Sequence, residues 1–91
     1  MSGTDNPKET LQKAMGLIDA REKIYGNAEI NFDRIASIVS VILNRRVTRY
    51  EVAAFLFATK IGRIPEDRKY ADSYDDGINY LAFMKQFRED A

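Results

Sequence analysis

Residues 48–64, TRYEVAAFLFATKIGRI, are the most informative stretch of the chain. Thr48 and Glu51 have the spacing of a capping box, in which each side chain bonds the backbone N–H at the other position. The residues that follow are apolar nearly all round from Val52 to Ile61. Pro65 then stops a helix, because proline has no backbone N–H to donate. A helix with so little polar surface is typical of the middle of a bundle.

Two further helices are predicted before this stretch. Asn6 and Pro7 have the pattern of an N-cap and a first helical position, and they predict a helix over residues 7–25. Asn27 can cap a second helix over residues 28–43, of which ten of sixteen are apolar. Because that number exceeds a single stripe, we expect the second helix to be covered on two sides.

One more helix is predicted after a polar loop. Ser73 and Asp76 repeat the capping-box spacing and predict a fourth helix that runs to about Glu89. The predicted organisation is a polar tail (1–6) and one helical domain (7–91). The fold class is all-α, a small four-helix bundle. Its surplus apolar surface predicts a homo-oligomer, either a dimer or a higher assembly.

The composition excludes several classes of chemistry. The 91 residues include 14 basic and 14 acidic side chains, so no net positive charge favours nucleic acid or an anionic membrane. The chain has no cysteine and no histidine, which excludes disulfides, thiolate zinc sites and a Ser-His-Asp triad. We find neither a signal-peptide pattern nor an apolar run of about 18 residues. We therefore expect a cytoplasmic protein that makes no membrane contact.

The stretch YADSYDDGINYLAF, residues 70–83, concentrates oxygen-bearing side chains. On a helix, Asp72, Asp75 and Asn79 share one face, and Asp76 lies in the neighbouring row. Carboxylates at such spacings can jointly hold Mg²⁺. Alternatively, these acids form a solvated first turn that complements the helix dipole.

Two other helices offer charged pairs that could complete such a site. Glu29 and Asp33 lie four residues apart on the second helix, and Lys60 and Arg63 lie one turn apart on the third. Acids from two helices that face cations from a third would form a metal and phosphate site. Tyr74 could stack on a nucleotide base. The alternatives are surface ion pairs, helix-dipole partners and aromatic core packing.

Three segments resemble the motifs of a known family. They are YGNAEINFDRIA (25–36), KIGR (60–63) and DSYDDGINYLAF (72–83). In this order they resemble short, mostly phage and prophage proteins of unknown function. The resemblance covers residues 25–83, about two-thirds of the chain, and it implies no activity. For a phage-encoded protein, the expected location is the cytoplasm of the host cell.

The last motif is also distantly similar to the all-α MazG-like nucleotide pyrophosphohydrolases. In those enzymes two pairs of acids hold Mg²⁺ on a nucleoside triphosphate. The resemblance implies that Asp72 and Asp75 form the second pair, together with Glu29 from an earlier helix. It also implies that Lys60 and Arg63 lie near the phosphates.

The sequence leaves the reaction open, because Phe32 stands three positions after Glu29, where the first pair would have its second acid. One hypothesis is a Mg²⁺-dependent hydrolase of a phosphorylated nucleotide. Another is a non-catalytic protein that sequesters host immune signalling nucleotides, such as a cyclic nucleotide or an ADP-ribose derivative. A third is a protein-interaction module, which the two apolar helices would support.

Overall fold

Four α-helices and one short 3₁₀ turn make up residues 6–91, the part of the chain that the computed structural model describes. They are α1 (Pro7–Tyr25), α2 (Ala28–Leu43), α3 (Arg49–Arg63), α4 (Ala71–Gln86) and the 3₁₀ turn Arg88–Asp90. Within this range there is no strand, which confirms the all-α fold class. In the same range no helix has both the length and the apolarity that a membrane crossing requires. The predicted tail falls mostly on residues 1–5, outside the described residues.

The first three helices begin where the sequence predicts. The side-chain oxygen of Asn6 accepts a hydrogen bond from a backbone N–H at 2.9 Å, and Asn27 does the same at 3.0 Å. Thr48 and Glu51 form the complete capping box, with bonds of 3.1 and 3.0 Å. These caps satisfy N–H groups that have no partner inside the helix. Short polar patterns therefore set the starts of α1, α2 and α3.

The start of α4 differs from the prediction. The helix begins at Ala71, after Tyr70, which makes no side-chain cap. Ser73 and Asp76 are not a capping box: both lie inside the helix and are buried. The carboxylate of Asp76 is bound by cations from other helices and so does not reach back to the helix start. The α-helical part ends at Gln86 and not near residue 89.

The core lies where α3 packs between α2 and α4. Three aromatic rings form its centre: the ring centroid of Phe32 is 4.9 Å from that of Phe83 and 5.3 Å from that of Phe87. α3 and α4 approach closely at Gly77, where an added Cβ atom would lie only 3.3 Å from the side chain of Ile61. The buried apolar residues of this core are Phe32, Ala36, Val47, Val52, Ala53 and Phe87.

The outer face of α2 is uncovered. Val41 is 81% exposed and Ile42 is 72% exposed, and Ile38 on the same face is also exposed. On α3, Phe55 is 70% exposed. The expectation that α2 is covered on two sides is thus wrong for the single chain, because α3 covers one side and no described segment covers the other. An exposed apolar surface of this kind is typical of a site that contacts another protein molecule.

Candidate functional site

A cavity of about 510 Å³ lies between α1, α2, α3 and α4. Its volume falls within the range of small-molecule sites, which is roughly 300–1,000 Å³. The lining is mainly apolar and includes the rings of Phe32, Tyr80 and Phe83. Asn31 and Asn79 contribute amide groups to the same lining. The arrangement of apolar walls and a few polar groups is typical of a ligand site.

Three charged side chains meet at the wall of this cavity, and we call them the Asp76 centre. Nη2 of Arg21 lies 2.8 Å from Oδ1 of Asp76, and Nζ of Lys60 lies 3.1 Å from Oδ2. The side chain of Asp76 is 9% exposed, that of Lys60 is 20% exposed and that of Arg21 is 44% exposed. One buried carboxylate therefore holds two cations from two different helices, and the centre has one positive charge in excess.

Asp75 and Asn79 attach α4 to α1. The side-chain amide of Asn79 donates a hydrogen bond of 2.9 Å to the backbone carbonyl of Ala14. Oδ2 of Asp75 lies 3.5 Å from Nζ of Lys13, an ion-pair distance, but it has no hydrogen-bond partner among the described residues. Because Asp75 and Asp76 are both buried, the alternative of a solvated first turn is wrong for these two acids.

Glu29 and Asp33 belong to a different group, which we call the Arg49 centre. The guanidinium of Arg49 lies 2.9 Å from Glu29, 3.3 Å from Asp33 and 2.8 Å from Asp90. It also lies 4.5 Å from the centroid of the Phe87 ring, a cation–π distance. The hydrogen bond from Arg49 holds the pKa of Asp90 below its ordinary value. The hydrogen bond to Asp90 is also the main reason why the pKa of Arg49 lies above its ordinary value. The hydrogen bond to Glu29 is a smaller contribution in the same direction.

Asp72 and Tyr74 lie nearer the surface. The hydroxyl of Tyr70 donates to Asp72 at 3.1 Å, and this bond raises the pKa of Tyr70. The hydroxyl of Tyr74 donates to the backbone carbonyl of Arg68 at 3.0 Å. Asp72 is in the first turn of α4, where it complements the helix dipole. The alternative that the acid lies in a solvated first turn is therefore correct for Asp72.

The structure brings together some of the residues that the sequence assigned to a nucleotide. Lys60 and Asn79 line the cavity, whereas Arg63 and Tyr74 do not. Sequence reasoning missed Arg21, which lies 55 positions before Asp76 along the chain. No local pattern marks this arginine, because its partner comes from a distant helix. Only the packing of α1 on α4 reveals it.

The five predicted metal ligands do not gather at one point. Glu29 and Asp33 contact Arg49, Asp75 and Asp76 contact cations of α1 and α3, and Asp72 contacts a tyrosine. Within residues 6–91, no three acidic side chains lie close enough to hold one metal ion. The described residues thus do not fit the predicted Mg²⁺ site. The ion and the hydrolysis stay predictions.

Comparison with known proteins places the chain among phage-type proteins. The family described as a domain of unknown function, DUF6378, matches residues 9–88. The chain is 30% identical over 81 residues to the Gene 55 protein of Mycobacterium phage D29, which covers 88% of this chain and 54% of that protein. The chain thus spans about half the length of this relative. No solved structure matches. The resemblance to phage proteins of unknown function is confirmed, the MazG-like similarity stays a prediction, and the chain belongs to the DUF6378 family.

Proposed function

We propose that this chain binds a phosphorylated nucleotide in the cavity beside the Asp76 centre. The observation that carries the proposal is the meeting of two cations, Arg21 and Lys60, at the wall of one cavity. Phosphate oxygens are bound most strongly by charge-assisted hydrogen bonds from such groups. Arg21 has further N–H donors beyond the one that Asp76 accepts, and Lys60 has three donors in total. Asp76 thereby orients both cations without using all of their donors.

The balance of charge at the cavity wall suits one phosphoryl group of a ligand. Glu22 also lines the cavity and brings the charge of the lining close to zero. Glu22 is exposed and can turn to water, whereas Asp76 is buried and fixed by two partners. When Glu22 turns to water, the Asp76 centre has its one positive charge in excess. A phosphoryl group at this wall would neutralise that excess.

The rest of the cavity suits a base and a sugar. The rings of Tyr80 and Phe83 offer flat apolar surfaces, on which a base can stack. Asn31 lines the same cavity and offers both a donor and an acceptor. Asn79 uses one of its two amide N–H donors on a backbone carbonyl, so its oxygen and its second N–H remain for a ligand. These groups support a nucleotide over a bare phosphate.

Binding without turnover fits the described residues better than hydrolysis does. A metal-dependent hydrolase needs carboxylates around one ion, and no group of three forms within residues 6–91. A protein that sequesters a cyclic nucleotide or an ADP-ribose derivative needs only the cations, the aromatic rings and the amides. We therefore favour sequestration of a signalling nucleotide, an anti-defence role in a phage-infected cell.

A binding screen tests the proposal. The probes are ATP, cyclic AMP and ADP-ribose, each measured with and without Mg²⁺ by thermal shift and then by calorimetry. The variant Lys60→Gln should weaken the binding of the best probe by about 10- to 100-fold, because a charge-assisted bond is lost. The matched control Arg63→Gln should bind as the wild type does. If no probe raises the melting temperature, or if both variants lose affinity equally, the proposal fails.

We also propose that the chain self-associates through the outer face of α2. Ile38, Val41 and Ile42 form an apolar strip on this face. Standard interfaces bury about 800 Å² on each partner, which is roughly a tenth of the surface of a small protein. In an isologous dimer the strip would pack on the same strip of the second copy, so one contact would cover the exposed side chains of both copies. The apolar character of the strip supports a second copy over an unrelated polar partner.

Sedimentation analysis tests the self-association. The wild type should sediment as a dimer or larger species, and Val41→Asp should sediment as a folded monomer. The control Leu81→Asp places the same charge at a half-exposed position on α4 and should leave the assembly intact. A monomeric wild type, or dissociation by the control alone, would contradict the assignment of this face.

A further inference from the structure

The helix α1 has little apolar attachment to the rest of the protein. Ala14 is its only buried residue, although the helix contains 19 residues. Of its six large apolar side chains, Leu17 and Ile18 are half-buried, and the other four expose more than half of their surface: Leu11, Met15, Ile24 and Tyr25. Burial of apolar surface is the main source of helix attachment in a bundle. α1 therefore contributes little to the core that holds α2, α3 and α4 together.

Polar contacts with α4 hold α1 in place instead. They are the ion pair of Lys13 with Asp75, the ion pair of Arg21 with Asp76 and the hydrogen bond from Asn79 to the carbonyl of Ala14. The first of these is long, at 3.5 Å, and its lysine is 60% exposed. The carboxylate of Asp75 is buried, but a long distance to a largely solvated lysine makes this pair weaker than a close one. The pair of Arg21 with Asp76, at 2.8 Å and with a buried carboxylate, is the strongest of the ionic contacts.

The connection between α1 and α2 can turn. It consists of Gly26 and Asn27 alone. Gly26 has φ 84° and ψ −163°, a backbone conformation that is nearly exclusive to glycine. Leaving aside its two chain neighbours, a Cβ atom at this position would meet no heavy atom within 4 Å, so no other described part of the protein packs against this side of Gly26. A short, open connection with a glycine at its centre is a suitable hinge.

We infer that α1 is a hinged wall of the cavity, which swings about Gly26 to admit a ligand and is held closed by the ion pair of Arg21 with Asp76. The wall consists of Ile18, Arg21, Glu22 and Tyr25, all of which line the cavity. When α1 moves away, the cavity opens along its whole length. Where it concerns the ligand, this inference rests on the proposed function; the motion of α1 itself does not.

Arg21 couples the closure of α1 to the binding of a ligand. The same guanidinium closes the wall on Asp76 and lines the cavity, so an anion bound beside it adds a second tie between α1 and the body of the protein. A ligand that contacts the closed state better than the open one shifts the population toward the closed state. A bound ligand should thus keep α1 in the closed position.

Amide hydrogen exchange of the full chain, read by mass spectrometry, tests the hinge without any ligand. In the wild type, the amides of α1 should exchange faster than those of α3 and α4, since opening of α1 does not require global unfolding. Arg21→Gln should speed exchange in α1 about tenfold and leave α3 and α4 unchanged, because one charge-assisted bond is lost. The matched control Arg45→Gln removes the exposed pair with Glu51 and should leave α1 unaffected. Equal exchange of α1 and α3 in the wild type would overturn the hinge.

Addition of ATP separates the hinge from the proposed function. ATP should slow exchange in α1 of the wild type and have a smaller effect on Arg21→Gln. If calorimetry detects no binding of ATP, cyclic AMP or ADP-ribose while α1 still exchanges fast, the proposed function fails and the hinge stands. If ATP binds and exchange in α1 does not change, α1 is not a wall of the site and the inference is overturned. If α1 becomes protected only as the protein concentration rises, α1 belongs to an interface between copies and the inference also fails.

Discussion

The Asp76 centre and the Arg49 centre are built from the same kinds of side chain in opposite proportions. At the first, one buried carboxylate holds two cations. At the second, one guanidinium holds the carboxylates of Glu29, Asp33 and Asp90 and lies against the ring of Phe87. The first centre keeps a positive excess beside a cavity, whereas the second keeps a negative excess beside a packed core. The two centres therefore have different roles.

The surroundings explain the difference. Arg49 ties the C-terminal 3₁₀ turn to α2 and α3, and three carboxylates surround its guanidinium. Because carboxylates outnumber the cation there, the centre does not attract a further anion, and we assign it a structural role. At the Asp76 centre, by contrast, the carboxylate is saturated and the cations are not. Unused donors beside a cavity are what a binding site requires.

The largest expected effect lies in the core beneath the Arg49 centre. Phe87 is 2% exposed and packs on the ring of Phe32, so Phe87→Ala should lower the free energy of unfolding by about 3–5 kcal/mol. Urea unfolding at a concentration that keeps the chain monomeric measures this loss. The control Phe55→Ala removes an equal ring that is 70% exposed, and it should change stability by less than about 0.5 kcal/mol. Similar losses for the two variants would show that the described core is wrong.

A smaller effect is expected when the central carboxylate is removed. Asp76→Ala leaves Lys60 and Arg21 without a partner, and because both retain some exposure we expect a loss of about 2–3 kcal/mol, below that of a fully buried pair. Asp90→Ala should cost less, because Glu29 and Asp33 still neutralise Arg49. Urea unfolding of the two variants side by side measures the difference. If Asp90→Ala is the more damaging, the roles of the two centres are reversed.

The helices of this fold could be predicted because their signals are local. Asn6, Asn27 and the pair of Thr48 with Glu51 each bond a backbone group within three residues, and each predicted cap before α1, α2 and α3 is confirmed. The same spacing failed at Ser73 and Asp76, since a carboxylate that meets two cations in a buried place has a stronger partner than a helix start. A capping-box spacing predicts a helix cap only when no distant partner competes for the same side chain.

The site could be predicted only in part, because its contacts join distant segments. The face shared by Asp75 and Asn79 is correct, and Lys60 lines the cavity. Arg21 was missed, and Glu29 was assigned to a metal although it contacts Arg49. Each acidic residue on a helix surface can form an ion pair with any of several basic residues. Sequence spacing alone does not show which of them it contacts. The packing of α1 on α4 and of α2 on α3 makes that choice.

The smallest effect is a pH dependence of stability at the Arg49 centre. The hydrogen bond from Arg49 lowers the pKa of Asp90 in the folded protein, whereas the unfolded chain has an ordinary pKa of about 3.9. A lowered folded pKa contributes stability that is fully present above the unfolded pKa and is lost as the pH falls through the folded pKa. The free energy of unfolding of the wild type should thus decline from about pH 5 downward, and Asp90→Asn should decline less steeply.

Urea titrations from pH 7 to pH 3 would measure the two slopes. The backbone hydrogen bond from Thr48 also lowers the pKa of Glu51, but this contribution is the same in wild type and variant and cancels in the comparison. Asp19→Asn, at an exposed position on α1, is the control and should follow the wild-type slope. If Asp90→Asn runs parallel to the wild type, Asp90 is not held by Arg49 in solution. The 3₁₀ turn would then be attached by the ring of Phe87 alone, and the Arg49 centre would be a pairing of α2 with α3 only.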